Sequence, residues 1–460
     1  MKKTFKSIYH SPARVTVIAF LMLILTGTFL LMLPVSSTRQ AIGFVDALFT
    51  ATSASCVTGL IVIDTGTAYT LFGQIVILLL IQTGGLGIMT FSTVVVLLAG
   101  KRLSLVGQVA IQDTFTQGKG MRSIDIVRDV FMMTFIIEGL GVALLFWGFL
   151  PGNSTVRALY LAVFHSVSAF CNAGFAIFSD NLIEFQRNWL VNLVISLLII
   201  FGGMGFLVFS ELKRHYFEAK ERHLYRGIWP RLSLQTRLVL STTVVLIVLG
   251  TVIILVMEWD NTIASLPMPL KILAAFFQSV TTRTAGFNTI PIQYMSNVSL
   301  FAIIILMFIG GSPGSCAGGI KTTTFSTLVL RGLASFKGRE KPQVFHRTIP
   351  TNSVWKAISI SMASIFLVVI GTMILSITEL GDTSHFQSRG SFIELLFEVV
   401  SAFGTVGLSA GVTGKLTVIG KLVITVIMFM GRLGPLVVAV AMSRQSTLSY
   451  YYAEENIMVG

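Results

Sequence analysis

The chain has 460 residues, 54% hydrophobic and only 12% charged, with a mean hydropathy of +0.83. A soluble domain carries about twice that charged fraction, so a polytopic membrane protein is the class that fits. The formal net charge of +13 brings nucleic acid to mind, but the basic residues lie in the loops between apolar runs, where membrane topology accounts for them.

The first apolar run, 15–33, follows Lys2, Lys3, Lys6 and Arg14. It outruns the roughly 7–15-residue apolar core of a signal peptide and no small-x-small cleavage site follows, so it reads as an uncleaved first span. A short half-apolar stretch, 43–53, comes next and ends in the turn Ser-Cys-Val-Thr-Gly-Leu at Leu60. A second long apolar span then carries a glycine cluster from Gly84, and a basic loop, 101–129, closes the unit.

The same order recurs three times. Short stretches at 158–169, 269–281 and 391–402 lead into turns ending at Phe175, Phe287 and Leu408. The turn glycines Gly59, Gly174, Gly286 and Gly407 are 115, 112 and 121 residues apart. Deeper clusters begin at Gly84, Gly202, Gly310 and Gly431, offsets of 25, 28, 24 and 24 residues. One glycine cluster would mean close helix packing, whereas four in register mean a repeated fold.

Each short stretch is too short to span a hydrocarbon core about 30 Å thick. A hydrophobic half-span followed by a glycine turn predicts a re-entrant pore helix. The expected fold is an all-α membrane protein with eight transmembrane helices and four re-entrant pore helices. These form four pseudo-fourfold repeats around one pore, divided at 1–100, 101–212, 213–333 and 334–460. The N-terminus, the loops 101–129, 211–237 and 331–356, and the tail from 443 hold 23 basic and 9 acidic residues, against 8 and 10 on the opposite face. The positive-inside rule therefore predicts cytoplasmic termini and outward-facing glycine turns.

Non-helical backbone at membrane depth is tolerated where it lines a water-filled path. Four such turns on one axis would make a ring of carbonyls of the kind that coordinates a dehydrated cation, and the C-terminal ends of the pore helices add partial negative charge. The candidate potassium filter is Val57, Thr58 and Gly59; Asn172, Ala173 and Gly174; Thr284, Ala285 and Gly286; Thr405, Val406 and Gly407. The plainer alternative is four ordinary turns with helix-capping glycines. Cys56 and Cys171 read as packing groups, and His165 and Arg283 as braces for the turns. With Cys316 they make three cysteines, too few for a disulfide framework or a zinc site.

The third inner span, 298–330, is longer than a bilayer needs and is interrupted by Gly310, Gly311, Ser312, Pro313, Gly314, Ser315, Cys316, Ala317, Gly318 and Gly319. Proline removes a donor and glycine makes continuous helix costly, so two half-helices joined by an intramembrane loop are predicted. A phosphate-binding loop is disfavoured because the run continues Gly-Ile-Lys-Thr rather than Gly-Lys-Ser/Thr. Arg432 takes the slot held by Gly85, Gly203 and Gly311. A charge at that depth is a functional candidate, serving either the loop's carbonyls or a buried pair with Glu138.

Across residues 14–445, these features resemble the Trk/Ktr/HKT superfamily of potassium transporters. Trk-type members carry two further N-terminal spans and none precedes the first repeat here, so the chain is most similar to the Ktr-type membrane subunits. The resemblance implies that the four glycines belong to the filter and that glycine in all four goes with potassium preference. It implies that the loop 310–319 gates the pore, with Lys321 and Arg432 in contact with it. It further implies a bacterial plasma-membrane homodimer, driven by the membrane potential and in some members sodium-dependent, controlled by a separate cytoplasmic KtrA-like nucleotide-binding ring. Potassium, and in some members sodium, would be the ions carried, with no organic cofactor. A sodium-coupled secondary transporter with alternating access is the competing function, but it calls for inverted repeats, and these run parallel. An enzyme is disfavoured by the lack of a His-Glu-x-x-His motif and of any carboxylate pair inside the spans.

Overall fold

The computed structural model describes residues 12–38, 41–98, 123–221, 228–384 and 386–434. The basic N-terminal residues, most of the loop 101–129 and the tail from 443 lie outside the described residues. The fold is helical, and four helices are both long and apolar enough to cross a membrane among the described residues. The first three lie within α1 (Pro12–Met32), α4 (Ser123–Phe149) and α8 (Leu234–Met257), and the fourth is α12 (Thr351–Leu375) with its helical continuation to Leu380. Their exposed faces carry bare large apolar groups, among them Phe29, Leu140, Val245 and Phe366. Contiguous apolar surface of this extent is stable against lipid rather than water.

Each long helix is followed by a short one of 12 to 16 residues: α2 (Phe44–Ser55), α5 (Thr155–Phe170), α9 (Met268–Thr281) and α13 (Ser391–Gly404). At 1.5 Å per residue these reach about 18–24 Å, short of a crossing. Their buried sides supply much of the core, including Phe49, Phe164, Phe277 and Phe397, all 0% exposed. The third members are α3 (Leu71–Leu98), α6 (Trp189–Met204), α10 (Asn297–Phe308) and α14 (Val418–Leu433). Their starts follow capping logic: the side chains of Asn188, Ser296 and Thr417 accept from backbone N–H groups in the first turns of α6, α10 and α14.

Packing between the triplets is cyclic. Helix α3 lies on α5, α6 on α9 and α10 on α13, and α14 closes the circle on α2. The third triplet resumes after a non-helical segment with α11 (Thr322–Phe336).

The second inner helix departs from the uninterrupted span expected from the sequence. It ends at Met204, and α7 (Phe206–Glu221) leaves it at 94°. Gly205 makes the corner at φ +85°, a conformation closed to most side chains. Beyond it the sequence turns polar (Glu211, Lys213, Arg214), so a straight continuation would put charges into the apolar layer.

Candidate functional site

Each short helix ends in a turn of one conformation. Val57, Asn172, Thr284 and Thr405 all have positive φ, as do Gly59, Gly174, Gly286 and Gly407 two residues later. For the β-branched residues Val57, Thr284 and Thr405 this backbone costs on the order of 1–3 kcal/mol each, and the surroundings must hold it. They do so with hydrogen bonds. The N–H groups of Thr58, Ala173 and Val406 donate to the carbonyls of Ser53, Ser168 and Ser401 at 2.7–2.8 Å, and Ala285 N–H donates to Thr281 at 3.0 Å. Gly59 and Gly407 N–H groups also donate to the hydroxyls of Ser53 and Ser401, each at 3.1 Å. The third turn has Val280 at that register.

The four turns touch in a closed cycle. A Cβ on Gly59 would come within 2.4 Å of the Ala173 carbonyl oxygen, and one on Gly174 within 2.7 Å of that of Ala285. One on Gly286 would meet the Val406 oxygen at 2.5 Å, and one on Gly407 the Thr58 oxygen at 2.1 Å. Each glycine therefore leans on the middle carbonyl of the next turn, and the fourth on the first. All four glycines line one cavity of about 400 Å³, together with Asp180, Asn181, Asn288 and Gln293. Backbone oxygens at the C-terminal ends of four converging helices favour a cation.

Nine residues before three of the four turn glycines the short helix carries a polar brace, while the third repeat has Phe277 there. Tyr69 donates from its hydroxyl to Thr50 at 3.1 Å. His165 accepts at Nε2 from Ile177 N–H at 3.4 Å while its Nδ1 bonds the Leu161 carbonyl at 2.8 Å. Glu398 accepts from the hydroxyls of Ser409 and Thr413. His165 thus has the bracing place expected from the sequence, whereas Thr50 and Glu398 were missed, although their shared offset from the glycines was visible. Arg283 is buried at the third turn with no partner for its Nε. Cys56, Cys171 and Cys316 are buried free thiols.

The third inner helix breaks where the sequence indicated. Helix α10 stops at Phe308 and α11 starts at Thr322. The ends of the intervening loop are pinned by Gly310 N–H to the Ile320 carbonyl at 2.8 Å and Thr322 N–H to that of Gly311 at 2.9 Å. Its middle docks on the end of α6. Ser312 and Cys316 N–H groups donate to the carbonyls of Gly203 (3.0 Å) and Gly202 (3.3 Å), and Phe206 N–H donates to Gly314 (3.1 Å). The Ser312 hydroxyl donates to the Met204 carbonyl. The loop thus takes up carbonyls that a helix C-terminus otherwise leaves unpaired. A Cβ on Gly318 would strike the Thr405 hydroxyl at 2.2 Å, so the loop lies directly against the fourth turn.

Both predicted charges reach this loop. Lys321 Nζ donates to the Ala317 carbonyl at 2.5 Å. Arg432 donates through Nη1 to the Cys316 carbonyl and through Nη2 to that of Gly84 at 2.6 Å. The buried pair with Glu138 does not form: Glu138 accepts from Gln82 Nε2 at 3.2 Å. The twelve turn residues, the ten loop residues and the two charges are therefore one contiguous site.

Comparison with known proteins gives a consistent picture. Residues 3–450 match the family described as TrkH, cation transport protein. The chain is 38% identical to the Ktr system potassium uptake protein B of Bacillus subtilis (strain 168), covering 97% of each. It is 36% identical to the protein of the same name from Vibrio alginolyticus, covering 97% of this chain and 94% of the relative. The potassium/sodium uptake protein NtpJ of Enterococcus hirae is 35% identical, with 98% of this chain and 97% of the relative covered. In fold, the crystal structure of the potassium transporter TrkH from Vibrio parahaemolyticus superposes with a TM-score of 0.72 at 18% identity, over 94% of this chain and 85% of that one.

Proposed function

The chain belongs to the TrkH family of cation transport proteins, and we propose that it takes up potassium through one pore whose selectivity filter is the ring of four glycine turns. The observation that carries this reading is the closed cycle of contacts from Gly59 through Gly174 and Gly286 to Gly407. A ring of backbone oxygens at the ends of four half-helices replaces a hydration shell without fixed charge. The names of the relatives, potassium uptake proteins from Bacillus and Vibrio and a potassium/sodium uptake protein from Enterococcus, support the ion.

In this reading the long, short and third helices make eight crossings and four re-entrant segments, divided near 100, 212 and 333. The turns face outward and the termini are cytoplasmic. The loop 310–319 is the gate, with Lys321 and Arg432 as its latch. The protein works as a homodimer driven by the membrane potential, under a cytoplasmic nucleotide-binding ring. The test is cation uptake into liposomes with potassium exchanged for sodium, for wild type and Gly286→Ser. The serine Cβ presses on the Val406 carbonyl, so potassium preference over sodium should fall. Unchanged affinity and selectivity for single serine substitutions at all four glycines would falsify the filter.

A further inference from the structure

The segment after the second turn sends a side chain back to the ring. Asn181 sits at φ +62° and lines the cavity. Its Nδ2 lies 3.5 Å from the Gly174 carbonyl oxygen and 3.4 Å from that of Gly286. Its Oδ1 accepts from Asn288 N–H at 3.4 Å, which fixes which end of the amide faces the ring. The return bond from Leu182 N–H to the Asn288 carbonyl at 3.1 Å ties the two post-turn segments together. Seven residues after each turn glycine the four repeats carry Gly66, Asn181, Gln293 and Gly414. Among the described residues, no side chain is bonded to the carbonyls of Gly59 or Gly407 in this way.

We propose that Asn181 is a positioning residue for ion selection: its carboxamide bridges the outermost carbonyls of turns two and three and sets their spacing and direction. The proposal rests on the filter reading above. A carbonyl that accepts one N–H still has a lone pair for an ion, while its orientation is no longer free. Because one amide group serves two turns, removing it releases both on the same side of the ring. Discrimination between potassium and sodium depends on the number and direction of such dipoles, so the effect belongs to ion preference and affinity rather than to the maximal rate.

Two substitutions suit the left-handed backbone at this position: Asn181→Asp, which keeps the shape and loses the donors, and Asn181→Gly, which removes the group. The measurement is potassium uptake into liposomes with sodium as competitor, alongside melting temperature. Both variants should raise the half-saturating potassium concentration by about tenfold, the scale of one or two neutral hydrogen bonds. Both should also narrow the preference over sodium, with maximal rate and melting temperature near wild type. If Asn181 only offers a polar group to the cavity, aspartate should bind the cation more tightly and glycine should change nothing, and that result overturns the proposal. If Asn181→Gly leaves ion preference intact while Gly286→Ser alters it, the bridge is refuted and the filter stands. If no glycine substitution alters it, the filter reading and this one fall together.

Discussion

The guanidinium of Arg432 joins the carbonyl of Gly84 to that of Cys316, and so ties the first inner helix to the loop of the third through a side chain of the fourth. Arginine suits this place because its planar fork serves two acceptors at once and keeps its charge. Lys321, holding the Ala317 carbonyl within the same loop, does the simpler one-acceptor task.

Replacing Arg432 with glutamine should raise cation flux in a folded protein. The change removes a fixed positive charge from the path and exchanges charge-assisted hydrogen bonds, about 1.5–3 kcal/mol each, for weaker ones. A shift of about 1.4 kcal/mol in the loop's equilibrium is already tenfold in rate. Arg432→Lys should fall between the two. Since Glu138 bonds Gln82 instead, adding Glu138→Gln should give no rescue of stability. Flux in liposomes and melting temperature of the single and double variants check this, and rescue by the second change would restore the ion-pair account.

Gly205 and Gly434 make a matched pair of tests. Both end an inner helix with nearly the same φ, +85° and +86°. A Cβ on Gly205 would lie 2.4 Å from the Ser312 hydroxyl oxygen and 2.7 Å from the Pro313 carbonyl, while one on Gly434 meets nothing within 4 Å among the described residues. Alanine at either site bears a backbone penalty on the order of 1–3 kcal/mol. Alanine at Gly205 should in addition push the loop off α6 and raise flux severalfold. Equal flux in the two variants, at comparable melting temperatures, would separate the loop from the corner.

The C-terminal end of α8 carries a pH-dependent cap. Glu258, one residue beyond that helix, accepts from Ser296 N–H at 3.0 Å and from the Thr262 hydroxyl at 2.7 Å. Burial raises its pKa, but the hydrogen bonds outweigh burial and hold it below the ordinary 4.5. A carboxylate depressed in the folded state contributes stability above its unfolded value and loses it as pH falls through the folded one. Melting temperature should therefore decline below about pH 4.5, and Glu258→Gln should be less stable at neutral pH with a flatter decline. A decline of unchanged steepness in the variant would assign the acid sensitivity elsewhere.

What the sequence made legible is what depends on length and on glycine. Short apolar stretches cannot span, so the half-helices were predictable to within a few residues, and the break at 310–319 followed from proline and glycine chemistry. The corner at Gly205 was hidden because glycine is common in membrane helices and Gly87, three residues after Gly84, occupies the same register inside a continuous helix. Arg432 could be marked as functional from its depth, but its partners could not be named. They are backbone carbonyls, which every residue possesses and no motif records. Asn181 was missed for a related reason: its partners belong to two repeats more than a hundred residues apart along the chain for one of the bonds.

The cycle of turns has a direction, and that direction ties the repeats to one another rather than each to itself. Turn one leans on two, two on three, three on four and four on one. A strain introduced in any repeat is thus handed to its successor in the chain, and damage at Gly407 is felt at the opposite end of the polypeptide, at Thr58. No pair of repeats can complete the circle alone, because Gly174 would find no third turn and Thr58 no fourth. The two halves of the molecule are therefore obligate partners sharing one chain. Expressed as separate polypeptides, cut between the second and third repeats, they have every reason to recombine.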